Sequence, residues 1–258
     1  MTKPERAIIF AAGLGTRLGA HTQNIPKTLL NLGNVTMFDR MIIGLNRIGV
    51  RNVTVVIGYL ASTLRQHATT KSSELTENNV SFDFIQNDSL DIGNIYSFWL
   101  ARSRMTDEFI LLNSDVVFDY GILDLLLSSP HDSALLIDDR KTLGAEEMKV
   151  SVNNRKFVTD ISKQLDPSKA AGEYIGIMKI SPDTAHLVLD KVELLLNAKK
   201  CPLYYEDAFK LVARENECLW TCSTEGLPWT EIDTEQDLNF AIDTIVPKLQ
   251  KILRQQIS

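Results

Sequence analysis

One stretch near the N-terminus limits what this chain can fold into: Ala7-Ile-Ile-Phe-Ala-Ala-Gly-Leu-Gly-Thr-Arg-Leu18, followed by Ile25-Pro26-Lys27. The apolar run Ile8 to Ala12 reads as a buried strand. It stops at Gly13-Leu14-Gly15, where a backbone without side-chain bulk can turn sharply and approach a ligand closely. Backbone N–H groups exposed in such a loop form a concavity that suits phosphate oxygens. Ala11, Ala12, Gly13, Gly15 and Thr16 are therefore candidate phosphate-contacting residues. Arg17 adds a planar fork of donors. Lys27 adds a compact positive charge directly after Pro26, whose ring stiffens the approach. Arg17 and Lys27 are the candidate catalytic cations.

Two common phosphate loops do not fit. The dinucleotide fingerprint needs a third glycine where Leu18 stands, and the ATPase loop needs a Gly-Lys pair that this loop lacks. A strand, then Gly-Leu-Gly-Thr-Arg-Leu, then Pro-Lys resembles instead the signature of the sugar nucleotidyltransferase-like family. Those enzymes load a phosphorylated small molecule onto a nucleoside triphosphate. The resemblance runs from Ala7 to about Ile242. It implies a three-layer α/β/α fold with a mostly parallel mixed sheet, Rossmann-like, and the glycine loop as a nucleotide-binding site.

With 258 residues the chain can bury a large core. The expectation is one nucleotidyltransferase domain over 1–258, with an acceptor-binding region about 140–230 and a C-terminal helical segment about 234–257. A net charge of −6 argues against nucleic acid as a partner, since that needs a basic footprint. No apolar run has the length of a membrane span, and the first residues lack a signal peptide's apolar core. A cytoplasmic protein without a membrane partner is expected. Cys201, Cys218 and Cys222 are too few for a disulfide framework and read as plain thiols.

Along the chain, Thr28 to Leu32 reads as a short strand or extended loop. The stripe Met37, Met41, Ile42, Leu45, Ile48 predicts a helix closed by Gly49. Val53 to Ile57 is a strand, Leu60 to Ala68 a helix, Thr69 to Asn79 a polar loop and Val80 to Ile85 a strand. This βαβαβ order implies parallel strands with right-handed crossovers. Strands follow at 109–112, 133–137 and 172–180, with a hairpin from Lys149 that turns at Asn153-Asn154. Beyond Leu238 the apolar residues Ala241, Ile242, Ile245, Leu249, Ile252 and Leu253 recur, and Pro247 should kink or end that segment. The segment is either a packing element or the face of a homodimer.

Gly93 lets the backbone turn ahead of a helix carrying Ile95 and Phe98. Asn94-Ile-Tyr-Ser-Phe98 looks most like the bacterial choline-phosphate cytidylyltransferases within the family. By that resemblance Asn87, Gly93 and Asn94 face the base and ribose of CTP; otherwise the two asparagines cap turns. Asp115 follows a strand end, where open α/β sheets bind ligands. The resemblance implies that Asp115 and Asp233 hold Mg²⁺. Asp233 could instead belong only to the helix start at Thr234. Lys149 resembles the second family lysine, which contacts the acceptor phosphate.

For the acceptor the resemblance implies phosphocholine, giving CDP-choline and pyrophosphate. A quaternary ammonium cannot donate a hydrogen bond and is held by aromatic faces and carboxylates. Tyr174, Tyr205, Glu206, Trp229 and Glu231 are the candidate acceptor residues, with Trp99 as a further wall. Tyr204 and Tyr205 point about 100° apart on a helix, so one of them faces the pocket, and Tyr205 is favoured. Phosphocholine should then exceed phosphoethanolamine. The rival readings are a sugar-1-phosphate or inositol-phosphate nucleotidyltransferase and a non-catalytic nucleotide-binding regulator. The presence of Arg17, Lys27, Asp115 and Asp233 together argues against the last.

Overall fold

The computed structural model describes residues 3–72, 74, 80–198 and 202–249. In chain order the strands are β1 (Arg6–Ala11), β2 (Asn52–Ile57), β3 (Ser81–Gln86), β4 (Phe109–Asn113), β5 (Val116–Phe118), β6 (Ala134–Asp138), β7 (Lys149–Val152), β8 (Val158–Ser162), β9 (Gly172–Ile180), β10 (Trp220–Ser223) and β11 (Trp229–Glu231). The α-helices are α1 (Met37–Arg47), α2 (Ala61–His67), α3 (Asn94–Leu100), α4 (Gly121–Ser128), α5 (Pro182–Asn197), α6 (Tyr205–Glu215) and α7 (Glu235–Phe240).

The main sheet runs β10-β6-β9-β4-β1-β2-β3. β1 is parallel to both neighbours, with Ile9 opposite Val55 on one side and Leu112 on the other. β9 is the exception to the parallel order, antiparallel to β4 and to β6. The β7–β8 hairpin hangs from the first residues of β9, and β5 pairs with β11 in a separate antiparallel ribbon.

Both faces of the sheet are covered, which is why its central strands are apolar throughout. Ile9 and Ala11 join a core with Phe38, Met41 and Leu45 of α1, Leu64 of α2 and Leu123 of α4. Ile8 and Phe10 join the opposite core with Phe98 of α3, Val188 of α5 and Phe209 of α6. Each of the larger of these side chains contributes roughly 1.5–3 kcal/mol on burial. These are the three layers expected from the sequence. Helix α1 starts on a capping box in which Thr36 and Asp39 satisfy each other's backbone.

Three local readings change. Residues 28–32 are not a strand: Lys27–Leu29 forms one 3-10 turn, and Asn31 bridges Thr36. Ala68–Ser72 prolongs α2 as a wide helical turn, while most of the 69–79 loop, Cys201, Ile252 and Leu253 lie outside the described residues. Pro247 does not end the C-terminal segment. The run from Glu235 widens over Ala241–Ile245, just ahead of the proline, and stays helical through residue 249, so the helix is distorted there and not ended. Leu238, Ala241, Ile245 and Leu249 pack on Leu18, Leu30, Met37 and Ile232, so this segment is a packing element. Among the described residues no helix is long and apolar enough to cross a membrane.

Candidate active site

The C-terminal ends of β1, β4 and β6 open into one cleft of about 880 Å³. Its first wall is the loop after β1. Gly15 sits at φ +65°, and a Cβ there would press within 3.1 Å of both Lys27 Cβ and Thr22 Cγ2. Thr22 Oγ1 and the Leu18 amide both donate to the Gly15 carbonyl, at 2.8 and 3.0 Å, and curl the loop. Ala11, Ala12, Gly13, Gly15, Thr16 and Arg17 all line the cleft.

At the floor, Lys27 Nζ donates to Asp115 Oδ2 at 3.0 Å and to Asp233 Oδ1 at 2.6 Å. The Arg17 guanidinium takes the other Asp233 oxygen at 2.7 Å. Burial works against the Lys27 charge, but Asp115 and Asp233 outweigh it and hold its pKa above the usual lysine range. Burial likewise opposes the Asp233 charge; Lys27 and Arg17 reverse the balance and hold it below the usual carboxylate range. Asp233 is free for this role because Asp237 caps α7: its Oδ2 accepts from the Asp233 and Thr234 amides at 3.1 and 2.8 Å.

Helices α3 and α6 meet on the opposite wall. Tyr205 N donates to Asn94 Oδ1 at 2.9 Å, and Leu203 N donates to the Ile92 carbonyl at 2.9 Å. A Cβ on Gly93 would lie 2.1 Å from the Leu203 carbonyl oxygen, so only glycine permits this approach. Asn87 is buried; its amide donates to Ser97 Oγ at 3.0 Å and its Oδ1 accepts from Ser89 N at 2.9 Å. Both asparagines therefore hold turns while also lining the cleft.

The structure corrects three expected acceptor residues. Lys149 is fully buried, and its ammonium donates to the carbonyls of Gly144, Ala145 and Glu147 at 3.0–3.1 Å, so it shapes a loop. Tyr205 is also fully buried. Its hydroxyl donates to Asn113 Oδ1 and accepts from the Tyr174 hydroxyl, both at 3.0 Å, with its ring among Phe10, Phe98 and Phe209. Tyr204, the extended residue before α6, lines the cleft instead. Trp99 faces the Arg102 guanidinium at 4.3 Å, away from the cleft lining.

Tyr174, Glu206, Trp229 and Glu231 do line the cleft. They are joined by residues that carried no motif: Asp138, Lys141, Lys163 and Glu173. Trp229 Nε1 donates to Asp138 Oδ2 at 2.8 Å, and Lys141 Nζ reaches Glu173 at 2.8 Å and Glu147 at 3.3 Å. Lys141 and Lys163 stand just past the ends of β6 and β8 in polar sequence, and no spacing distinguished them from surface charge.

Residues 7–158 match the family described as the MobA-like NTP transferase domain. The chain belongs to this family. Choline-phosphate cytidylyltransferase of Streptococcus pneumoniae is 24% identical over 253 residues, covering 97% of this chain and 99% of that protein. The bifunctional protein GlmU of Methanococcus aeolicus is 24% identical over 236 residues, covering 88% of this chain. The chain spans 53% of that GlmU, and about half the length of other curated relatives it matches. The structure of the inositol-1-phosphate CTP transferase from T. maritima superposes with a TM-score of 0.79 at 18% identity, covering 97% and 98% of the two chains. This MobA-like NTP transferase domain thus has the fold of solved nucleotidyltransferases.

The acidic floor of the domain suits a divalent ion. One oxygen from each of Asp115, Glu231 and Asp233 falls within 4.8 Å of the others. Asp115 Oδ1 is buried without a hydrogen-bond partner among the described residues. Desolvation in the cleft, then the charges of Asp115 and Asp233, push the Glu231 carboxyl up to about 8. A cation relieves all three conditions, and an oxygen-only donor set matches Mg²⁺, which takes one or two protein carboxylates and keeps several waters.

Proposed function

We propose that this domain is a Mg²⁺-dependent cytidylyltransferase that couples CTP to a small phosphorylated acceptor with a cationic ammonium head, the class to which phosphocholine belongs. The observation that carries the reading is the joint floor of the cleft. Lys27, Arg17, Asp115 and Asp233 meet beside the glycine loop, at hydrogen-bond distances of 2.6 to 3.0 Å. CTP and choline phosphate come from the resemblance at Asn94 to Phe98 and from what the pneumococcal and T. maritima relatives are named for.

In this reading the amides of Gly13 to Thr16 bind the triphosphate, and Arg17 faces the β- and γ-phosphates. Lys27 stabilises charge at the α-phosphate. Lys163 and Lys141 receive the acceptor's phosphate in place of Lys149. An acceptor phosphate oxygen attacks the α-phosphorus in line; the new P–O bond forms as the bond to the β-phosphate oxygen breaks, and pyrophosphate leaves. No covalent enzyme intermediate is needed, because positioning and charge neutralisation carry such a transfer. Mg²⁺ held by Asp115 and Asp233 supplies further neutralisation of the phosphates when bound. Glu206, Glu231, Glu173 and Asp138 make the acceptor end acidic, which supports a cationic head over a neutral sugar.

The test is a matrix of the four common nucleoside triphosphates against phosphocholine, phosphoethanolamine, glucose-1-phosphate and inositol-1-phosphate, read as pyrophosphate release. CTP with an ammonium acceptor should give the highest kcat/KM. A sugar or inositol phosphate as the best acceptor would overturn the acceptor assignment.

A further inference from the structure

On the reading that the cleft transfers a cytidylyl group to an ammonium-bearing phosphate, we propose that Glu206 selects acceptors whose ammonium carries N–H groups. A primary ammonium is then preferred over a quaternary one.

Glu206 lines the cleft yet is 5% exposed, and its Oε2 is buried with no hydrogen-bond partner among the described residues. Glu231 belongs to the acidic floor with Asp115 and Asp233, and the other neighbouring carboxylates are already matched. Asp138 accepts from Trp229 Nε1 and from the Arg140 and Lys141 amides at 2.8–3.1 Å. Glu173 and Glu147 share Lys141, and Glu146 lies 3.9 Å from Lys163. No lysine or arginine of the described residues stands within ion-pair distance of Glu206. Its carboxylate is tolerated because it occupies the first turn of α6, whose amide end favours negative charge. The Glu206 amide, Tyr205 and Asn94 act on the carboxyl, but none of them brings positive charge, and Oε2 lacks a donor.

A primary ammonium has three donors, whereas trimethylation removes every N–H and moves the charge outward by a methyl radius. Such a cation would leave Oε2 as unsatisfied as before. The aromatic alternative for a quaternary head is incomplete here. Tyr205 lies behind the wall, Tyr174 is 4% exposed, and the Trp229 ring already has the Lys141 ammonium 5.9 Å from its centroid, which leaves Tyr204 as the exposed ring near Glu206 in the chain. On this proposal phosphoethanolamine exceeds phosphocholine, the opposite of the sequence expectation.

The experiment measures kcat/KM with CTP and Mg²⁺ for phosphoethanolamine and its N-methyl, N,N-dimethyl and N,N,N-trimethyl derivatives, the last being phosphocholine. The first three keep an N–H and should fall within a few-fold of one another; phosphocholine should drop by about tenfold or more, the worth of a charge-assisted hydrogen bond. Glu206→Gln should remove that step. A smooth decline with each methyl in both proteins would reflect bulk alone and overturn the proposal, as would phosphocholine equal to or better than the others. If Glu206→Gln fails to fold, the wild-type series still decides. If no ammonium acceptor releases pyrophosphate while a sugar-1-phosphate does, the selection and the ammonium reading fall together, and nucleotidyl transfer stands.

Discussion

Lys27 Nζ lies 2.6 Å from Asp233 Oδ1, a contact that joins two residues 206 positions apart across the floor of the cleft. It ties the turn after Pro26 to the start of α7. It also places a cation among the carboxylates suited to a metal, so both charges are held in place before any phosphate arrives.

Replacing Lys27 with Met should lower kcat by about 10²–10³-fold, the range for losing one charge stabiliser at a reacting centre. It should also lower the melting temperature, because Asp115 and Asp233 lose their shared partner. Lys27→Arg should not restore turnover, since a planar guanidinium does not replace a compact ammonium. Pyrophosphate-release kinetics with thermal melts check both outcomes; wild-type turnover in Lys27→Met would remove the assignment.

Lys149 and Lys163 should behave oppositely. Lys149→Met removes a buried ammonium from three loop carbonyls and should cost roughly 1–3 kcal/mol of stability, read by denaturant unfolding. Its acceptor KM should change little. Lys163→Met should melt like wild type but raise the acceptor KM by about tenfold. The reverse pattern would restore Lys149 to the acceptor site.

These two lysines mark where the sequence stops being legible. The glycine loop, Lys27, Asp115 and Asp233 were readable because each follows a turn or strand end that its neighbours announce. The β7 strand gives no such cue: pairing with both β8 and β9 determines where Lys149 points, and that pairing is non-local. Tyr204 and Tyr205 were exchanged by one residue of helix start. With α6 beginning at Tyr205, Tyr204 is extended and its side chain leaves the helical wheel used to place it. Lys141 and Lys163 become neighbours of the cleft only through the fold of the hairpin region. The element order was legible because burial of both sheet faces leaves continuous apolar runs.

Gly93→Ala tests the junction of the α3 and α6 walls. Its φ is +100°, and the added Cβ meets the Leu203 carbonyl oxygen at 2.1 Å. Backbone must shift, so a loss of about 2–4 kcal/mol is expected. Because the same junction holds Asn94 and α6, KM should rise for both CTP and the acceptor. Unfolding curves and two-substrate kinetics measure this; an unchanged midpoint would contradict the close approach.

The pH dependence of stability has a defined sign. Burial pushes the Glu206 carboxyl up to about 7; its own backbone amide and Tyr205 resist, Asp207 adds to the rise, and Asn94 opposes it. In the unfolded chain it titrates near the usual value of about 4.3. Between those values the folded protein binds more protons, so this contribution is full below about pH 4.3 and is lost as pH rises through about 7. The difference is on the order of 4 kcal/mol. Glu173 and Glu231 are shifted the same way, so Glu206→Gln should flatten the fall in melting temperature from about pH 5 to about pH 8 without abolishing it. A slope identical to wild type would contradict the buried state of Glu206.

The central claim is metal-assisted cytidylyl transfer on the Lys27–Asp115–Asp233 floor. The direct measurement is ³¹P NMR of the full chain with CTP, phosphoethanolamine and Mg²⁺, repeated with Asp115→Asn and with a chelator. The account predicts pyrophosphate and a CDP-linked product in equal amounts for the wild type with Mg²⁺, and neither product in the other two samples. Product formation that persists in the chelator or in Asp115→Asn would contradict it, as would no pyrophosphate from the wild type with any pairing of triphosphate and phosphorylated acceptor.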